Sequence, residues 1–255
     1  MNYIDSHAHL FSEDGYPIEE ILKNINDVGL KYVMSVCCDL ESYYKTLEYF
    51  EDDKRFDIAI GIHPTDVKDS TIEQLDEIYK LAKHSKVKAI GEIGLDYHWD
   101  PDNKDKQKEF FIAQIEMANK LDLPIVIHSR DAIEDTYNIL KEYPVNRKGV
   151  LHCYSSSAQM AERFIKLGYY ISLGGPVTFK NAKAAKEVAQ TVDINYLLSE
   201  TDSPFLTPTP YRGKINQPSY VIYNYQEIAA LRNMNIEELV NAMVVNYLRL
   251  FHNEN

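Results

Sequence analysis

The residues with the most chemistry in this sequence are histidines and carboxylates that end short apolar runs. The first group is Asp5-Ser6-His7-Ala8-His9. On a strand, side chains two apart share a face, so His7 and His9 can both present a ring nitrogen to one cation. Asp5 then lies deeper on the same face. A pair of hydrogen-bonded core histidines is the plainer alternative for such a pattern. Glu92 sits in the run Gly91-Glu92-Ile93-Gly94, where an unpaired carboxylate is costly to bury and needs a cation or donors. His128 ends Pro124-Ile125-Val126-Ile127, and His152 ends Gly149-Val150-Leu151. Glu200 and Asp202, two apart, are predicted to share an inward face. His63, before Pro64, either contacts substrate or closes a turn. Four histidines (His7, His9, His128, His152) with Glu92 and Asp202 make six donors, more than one cation takes from protein in a catalytic site. Two divalent ions bridged by Glu92 is the economical reading. Mixed imidazole and carboxylate donors suit Zn²⁺ or Mn²⁺, and Mg²⁺ fits with water completing its shell.

Those residues must be brought together by the elements that carry them. Strand patterns fall at Tyr3–His9, Tyr32–Cys38, Phe56–Ile62, Val87–Ile93, Pro124–His128, Gly149–His152, Gly168–Ser172 and Tyr196–Glu200. Helical spacing appears between them, as in Ile18, Ile21, Leu22, Ile25 and Val28. A second helix is predicted from about Asn103 to Leu121, with Phe111, Ile115 and Ala118 on its stripe. A last one starts near Asn235, which can cap it, with Glu238 three residues on and a stripe of Val240, Val244, Leu248 and Phe251. Eight strands each followed by a helix predict an α/β fold, a parallel closed TIM-like (β/α)₈ barrel with outer helices. The chain of 255 residues matches one such domain. An open doubly wound sheet is the alternative, but it does not usually need eight such units. In a barrel of this kind the active site lies at the C-terminal ends of the strands, where these polar residues fall.

Composition narrows the setting. A hydrophobic fraction of 45% supplies an ordinary soluble core, and no apolar run reaches the length of a membrane helix. The N-terminus has neither the basic nor the apolar region of a signal peptide. Cys37, Cys38 and Cys153 form no disulfide framework, which fits a reducing cytoplasm. A net charge of −12 argues against a protein that coats duplex nucleic acid. It permits an enzyme that grips a few phosphates locally. Arg130, two residues past His128, is predicted at the rim, for phosphate or for an ion pair with Asp131. Arg212 and Lys214 form a small basic pair in the Pro-rich stretch Ser203–Pro218, read as a functional loop or a solvated connection. Tyr97 and Tyr154 are candidates to stack on bases, although simple packing is the stronger reading for both.

The stretches DSHAHL (5–10), GIHP (61–64), GEIGLDYHW (91–99), LPIVIHSRDA (123–132), LHCYS (151–155), GYYISLGGPVTFKNAK (168–183), ETDSPFLTP (200–208) and YRGKINQP (211–218) resemble the TatD family of metal-dependent deoxyribonucleases. The resemblance covers nearly the whole chain. It implies a TIM-like barrel, two divalent metals, and hydrolysis of DNA phosphodiesters, on single strands or at ends. It implies that His7, His9, Glu92 and Asp202 hold one metal and that Glu92, His128 and His152 hold the other. Asp202 then orients or deprotonates the attacking water, and Asp5 and Glu200 support the ligands from behind. His63, Arg130, Arg212 and Lys214 are the expected substrate contacts. Tyr154, Ser156, Ile215 and Gln217 depart from the family's usual residues without touching the metal set. Some members of the wider superfamily bridge their metals with a carboxylated lysine on strand four, but here that strand carries Glu92, and its nearest lysine, Lys88, is four residues back. Two other readings stay open: hydrolysis of another ester, such as a D-aminoacyl-tRNA, and a metal-stabilised scaffold with little turnover.

Overall fold

The computed structural model describes residues 1–254. The chain runs β1 (Tyr3–Ala8), α1 (Ile18–Val28), β2 (Leu30–Cys37), α2 (Leu40–Phe50), β3 (Phe56–Ile60), α3 (Gln74–Leu81), β4 (Val87–Asp96) and α4 (Lys104–Leu121). It continues through β5 (Ile125–Arg130), α5 (Ile133–Glu142), β6 (Gly149–Leu151), α6 (Ala158–Lys166), β7 (Tyr170–Leu173), α7 (Lys183–Thr191), β8 (Leu197–Ser199), α8 (Val221–Arg232) and α9 (Ile236–Tyr247). All eight expected strands form, and each pairs in parallel with the next in sequence order. The edges at β1 and β8 meet just past the end of β8. There Asp202 N–H donates to the His7 carbonyl at 2.9 Å and His9 N–H donates to the Ser203 carbonyl at 2.8 Å.

The helices cover the outside of the barrel for the reasons their patterns gave. Ile18, Ile21 and Ile25 of α1 are buried, with Leu22 and Val28 packed against the same core. Phe111, Ile115 and Ala118 of α4 are buried as expected. The Asn235 side chain caps α9, but it accepts from Glu237 N–H at 2.7 Å rather than forming a box with Glu238. Val240, Val244 and Phe251 of its stripe are buried, and Leu248 packs against the core from the margin.

Two buried glutamines on α4 carry the fold into the site. Gln114 accepts from Ile62 N–H at 2.8 Å and donates to the Ile62 carbonyl at 3.1 Å. Gln107 accepts from Asp96 N–H at 2.8 Å and donates to the carbonyls of Asp96 and Asp100, each at 2.9 Å. These amides complete backbone groups where β3 and β4 leave the sheet, and so fix where His63 and Asp96 point. Strand β4 is also longer than the pattern indicated, running on to Asp96 because Gly94, Leu95 and Asp96 pair with His128, Ser129 and Arg130 of β5.

That pairing depends on Gly94. Its φ is +140°, and an added Cβ would overlap the His128 carbonyl oxygen. Gly213, in the loop after β8, also has a positive φ, of +87°, but faces open space. Gly94→Ala is expected to cost about 3 kcal/mol. Gly213→Ala should cost about 1 kcal/mol from backbone strain alone. Equilibrium denaturation of both variants compares them, and equal losses would show that the close approach of β4 to β5 is unimportant.

Candidate metal centre

The C-terminal mouth of the barrel gathers the predicted donors around Glu92. From one side, His7 Nε2 lies 3.3 Å and His9 Nε2 3.8 Å from Glu92 Oε2. Asp202 Oδ1 is 3.6 Å from each of those two ring nitrogens. From the other side, His152 Nε2 lies 2.6 Å and His128 Nδ1 2.8 Å from Glu92 Oε1. The two oxygens of one carboxylate therefore face two separate donor groups. His63 Nε2 approaches the Oε1 side at 3.5 Å.

The electrostatics follow from this crowding. Burial alone would push the Glu92 carboxyl up, but the imidazoles of His152, His63 and His7 outweigh it and hold the group well below the usual carboxylate range. Burial likewise opposes ionisation of Asp202, and the facing histidines, His9 first, hold it below its ordinary value. Asp5 is different. Full burial raises its carboxyl to about 8, despite hydrogen bonds from Thr201. It accepts from Thr201 N–H at 2.8 Å and Thr201 Oγ1 at 2.6 Å. Asp5 thus ties the segment carrying Asp202 to β1 rather than touching any imidazole. Glu200 is fully buried, accepts from Cys153 N–H at 2.5 Å and lies 3.3 Å from His152 Nδ1.

The hydrogen bonds of the imidazoles test whether this site suits a cation. His9 Nδ1 lies 3.2 Å from the Val36 carbonyl, which can only accept, so Nδ1 carries the proton. Its Nε2 lone pair then points at His7 Nε2, 3.3 Å away. His128 Nε2 faces the Asp96 carboxylate at 2.9 Å, so His128 Nδ1 turns its lone pair toward Glu92 and toward His152 Nε2 at 3.2 Å. Lone pairs facing lone pairs and a carboxylate are repulsive unless protons or cations lie between them. The donor set fits divalent metal. His63 is arranged the other way. Its Nδ1 accepts from Thr65 N–H at 3.3 Å, leaving an N–H on Nε2 directed into the mouth.

Several expectations are refined here. Glu200 and Asp202 do not share a strand face, because β8 ends at Ser199 and Asp202 has a left-handed backbone, φ +56°. Both still reach the centre. Asp131 pairs with His98 at 3.1 Å, not with Arg130, whose guanidinium lies 5.3 Å from the Trp99 ring centre. Arg212 and Lys214 are exposed beyond the mouth, set over Phe179 and Tyr211. Tyr154 is only 5% exposed, while the half-buried Tyr97 donates its hydroxyl to Asp135 at 2.7 Å and has Lys104 Nζ over its ring at 4.5 Å. The loop Ser203–Pro218 is pinned from within, since Asn216 donates to the carbonyls of Thr201 and Phe205 at 2.9 and 2.6 Å. The sequence reading passed over Asp96. Its position two residues beyond Gly94, on the face of Glu92, was the available signal.

A buried His and carboxylate cluster at the C-terminal mouth of a parallel (β/α)₈ barrel defines a metal-dependent hydrolase centre. Comparison with known proteins gives the family. The profile of the TatD related DNase family matches residues 4–252. The chain is 45% identical over 249 residues to YabD of Bacillus subtilis, named an uncharacterized metal-dependent hydrolase, covering 97% of this chain and 98% of that protein. It is 36% identical to YcfH of Escherichia coli (strain K12), similarly named, covering 99% and 96%. The crystal structure of YjjV, a TatD homologue from Escherichia coli K12, superimposes with a TM-score of 0.91 at 29% identity, covering 98% of each chain. The chain belongs to the TatD family.

The role of Asp96 can be isolated. In Asp96→Asn the amide oxygen can still accept from the backbone of His98 and Trp99, while an N–H₂ meets His128 Nε2–H. We expect metal affinity to fall roughly 10–100-fold with the fold intact. Competition against a chelator, with circular dichroism in parallel, measures both. Wild-type affinity would show that Asp96 does not set the His128 tautomer.

Proposed function

We propose that this protein hydrolyses phosphodiester bonds of DNA, acting on single strands or ends, at a centre of two divalent ions bridged by Glu92. The observation that carries this reading is the division of Glu92: Oε2 faces His7 and His9, and Oε1 faces His128 and His152. In the proposed arrangement His7, His9, Glu92 and Asp202 hold one ion, and Glu92, His128 and His152 hold the other. Bound ions would supply an activated water and polarise a phosphoryl oxygen.

The chain's own residues do the rest. Asp202, held ionised by the facing histidines, orients the attacking water and takes up its proton on the oxygen turned away from His7 and His9. His63 presents its Nε2–H to a phosphoryl oxygen, and Thr65 keeps that tautomer. Arg130, Arg212 and Lys214 are the cations available to further phosphates of the strand. Asp5 and Glu200 hold the ligand-bearing segments in place.

One feature favours keeping an ester substrate in the comparison. A cleft of about 810 Å³ opens from His9, His63 and Glu92 over the loops after β1 and β2. Its wall carries Glu13, Asp14, Asp39, Glu41 and Asp66, and its Lys45 is already paired with Glu41 at 2.6 Å. Such a wall repels phosphate and suits an ammonium group, as on an aminoacyl ester. Metal-loaded protein should be assayed on single-stranded DNA, RNA and aminoacyl-tRNA, with and without chelator. Shortening of DNA that chelator abolishes is the expected result. Intact DNA alongside cleavage of the ester would overturn the nuclease reading.

The bridging role has its own test. Glu92→Gln is expected to hold the least metal after dialysis, because both donor groups lose the shared charge. His152→Ala should hold about one ion where wild type holds up to two. Elemental analysis per chain decides, and full wild-type content in Glu92→Gln would rule the bridge out.

A further inference from the structure

The one tryptophan of the chain is out of place by ordinary packing. An indole offers a large apolar surface that normally goes to a core or an interface. Trp99 is 68% exposed. It is nevertheless mounted on rigid backbone. Trp99 N–H donates to Asp96 Oδ1 at 2.8 Å, His98 N–H donates to the same oxygen at 2.9 Å, and Gln107 clamps Asp96 and Asp100 on either side. The other oxygen of that carboxylate, Oδ2, is the one that holds His128. The backbone that carries the exposed ring is thus registered to the metal centre through one side chain.

The ring itself has partners that leave it open to a flat ligand. The Arg130 guanidinium lies 5.3 Å from its centre, and His98 meets it edge-on at 4.8 Å. Arg130 stands two residues beyond His128 on β5, so a cation lies over one face of the indole at the rim next to the centre and the opposite face is left for a ligand. A nucleotide presents the complementary pair of features, an anionic phosphate and an aromatic base. We propose that Trp99 and Arg130 form a subsite that stacks a nucleobase on the indole while the guanidinium takes the adjoining phosphate, fixing the strand so that the neighbouring phosphodiester reaches the metal centre. The subsite rests on the nuclease reading above, and it adds a residue that sequence motifs alone left unassigned.

The subsite requires π-stacking, which reads no particular base. It therefore accepts any base and rejects a backbone without one. A single tryptophan makes this directly measurable. The full-length, metal-loaded protein is titrated with a short phosphorothioate oligothymidylate and with the same backbone carrying abasic sites, following Trp99 emission. The thymidine strand should change the emission and the abasic strand should leave it unmoved. In steady-state cleavage of an ordinary oligonucleotide, Trp99→Ala should raise KM about tenfold and leave kcat within about twofold. Trp99→Phe should recover most of that loss. Circular dichroism checks the fold of both variants.

Equal changes with both strands would mean that Arg130 senses phosphate without stacking, and would overturn the proposal. Normal cleavage of DNA with unmoved emission and a wild-type KM in Trp99→Ala would also overturn it, while leaving the nuclease reading standing. Failure to cleave any nucleic acid, with turnover of an aminoacyl ester, would remove the nuclease reading and the subsite together.

Discussion

A buried carboxylate surrounded by imidazoles organises this molecule. Glu92 is nearly inaccessible, and histidines from β1, β5, the end of β6 and the loop after β3 all approach it. An ion in such a place is tolerable only if opposite charge surrounds it. The barrel meets that condition by bringing several strand ends to one point, which no single helix or hairpin can do. The supporting contacts follow from the same need. Val36 and Asp96 fix the protons of His9 and His128, and Gln107 and Gln114 hold the strand ends that carry Asp96 and precede His63.

Charge is distributed unevenly around the mouth. The cleft over the first two strand-to-helix loops is acidic, with its lysine already engaged. Arg130 at the end of β5 and Arg212 and Lys214 in the loop after β8 are set over aromatic rings. A cation over a ring is less strongly hydrated than one in open water but keeps its charge. The overall charge of −12 therefore conceals a local division between an acidic side and a side that carries cations.

Much of this was legible in the sequence because two short periodicities carry it. The alternation of strands and the 3.6-residue stripe of helices gave all eight strands, α1, α4 and α9. The histidines and carboxylates at strand ends gave the centre. The remainder depended on contacts between residues far apart in the chain. Asp96 looks like a polar residue past a strand until β4 is seen to continue alongside β5. The left-handed backbone of Asp202 has no glycine to announce it, so alternation with Glu200 was the natural but mistaken route to its placement. Trp99 and Arg130 are separated by thirty-one residues and meet only because β4 and β5 are neighbours. Tyr97 and Tyr154 show the converse: aromatic residues near strand ends that the fold spends on packing and on Asp135.

The seam where the barrel closes has a consequence for biosynthesis. His7 and His9 are made long before Asp202 and Ser203, which bond to the backbone beside them. Asp5 and Thr201 bridge the same interval. A nascent chain therefore lacks the Asp202 side of this seam until the segment after β8 has been made. The placement of Asp202 beside His7 and His9 is thus made only when β1 and the segment after β8 come together.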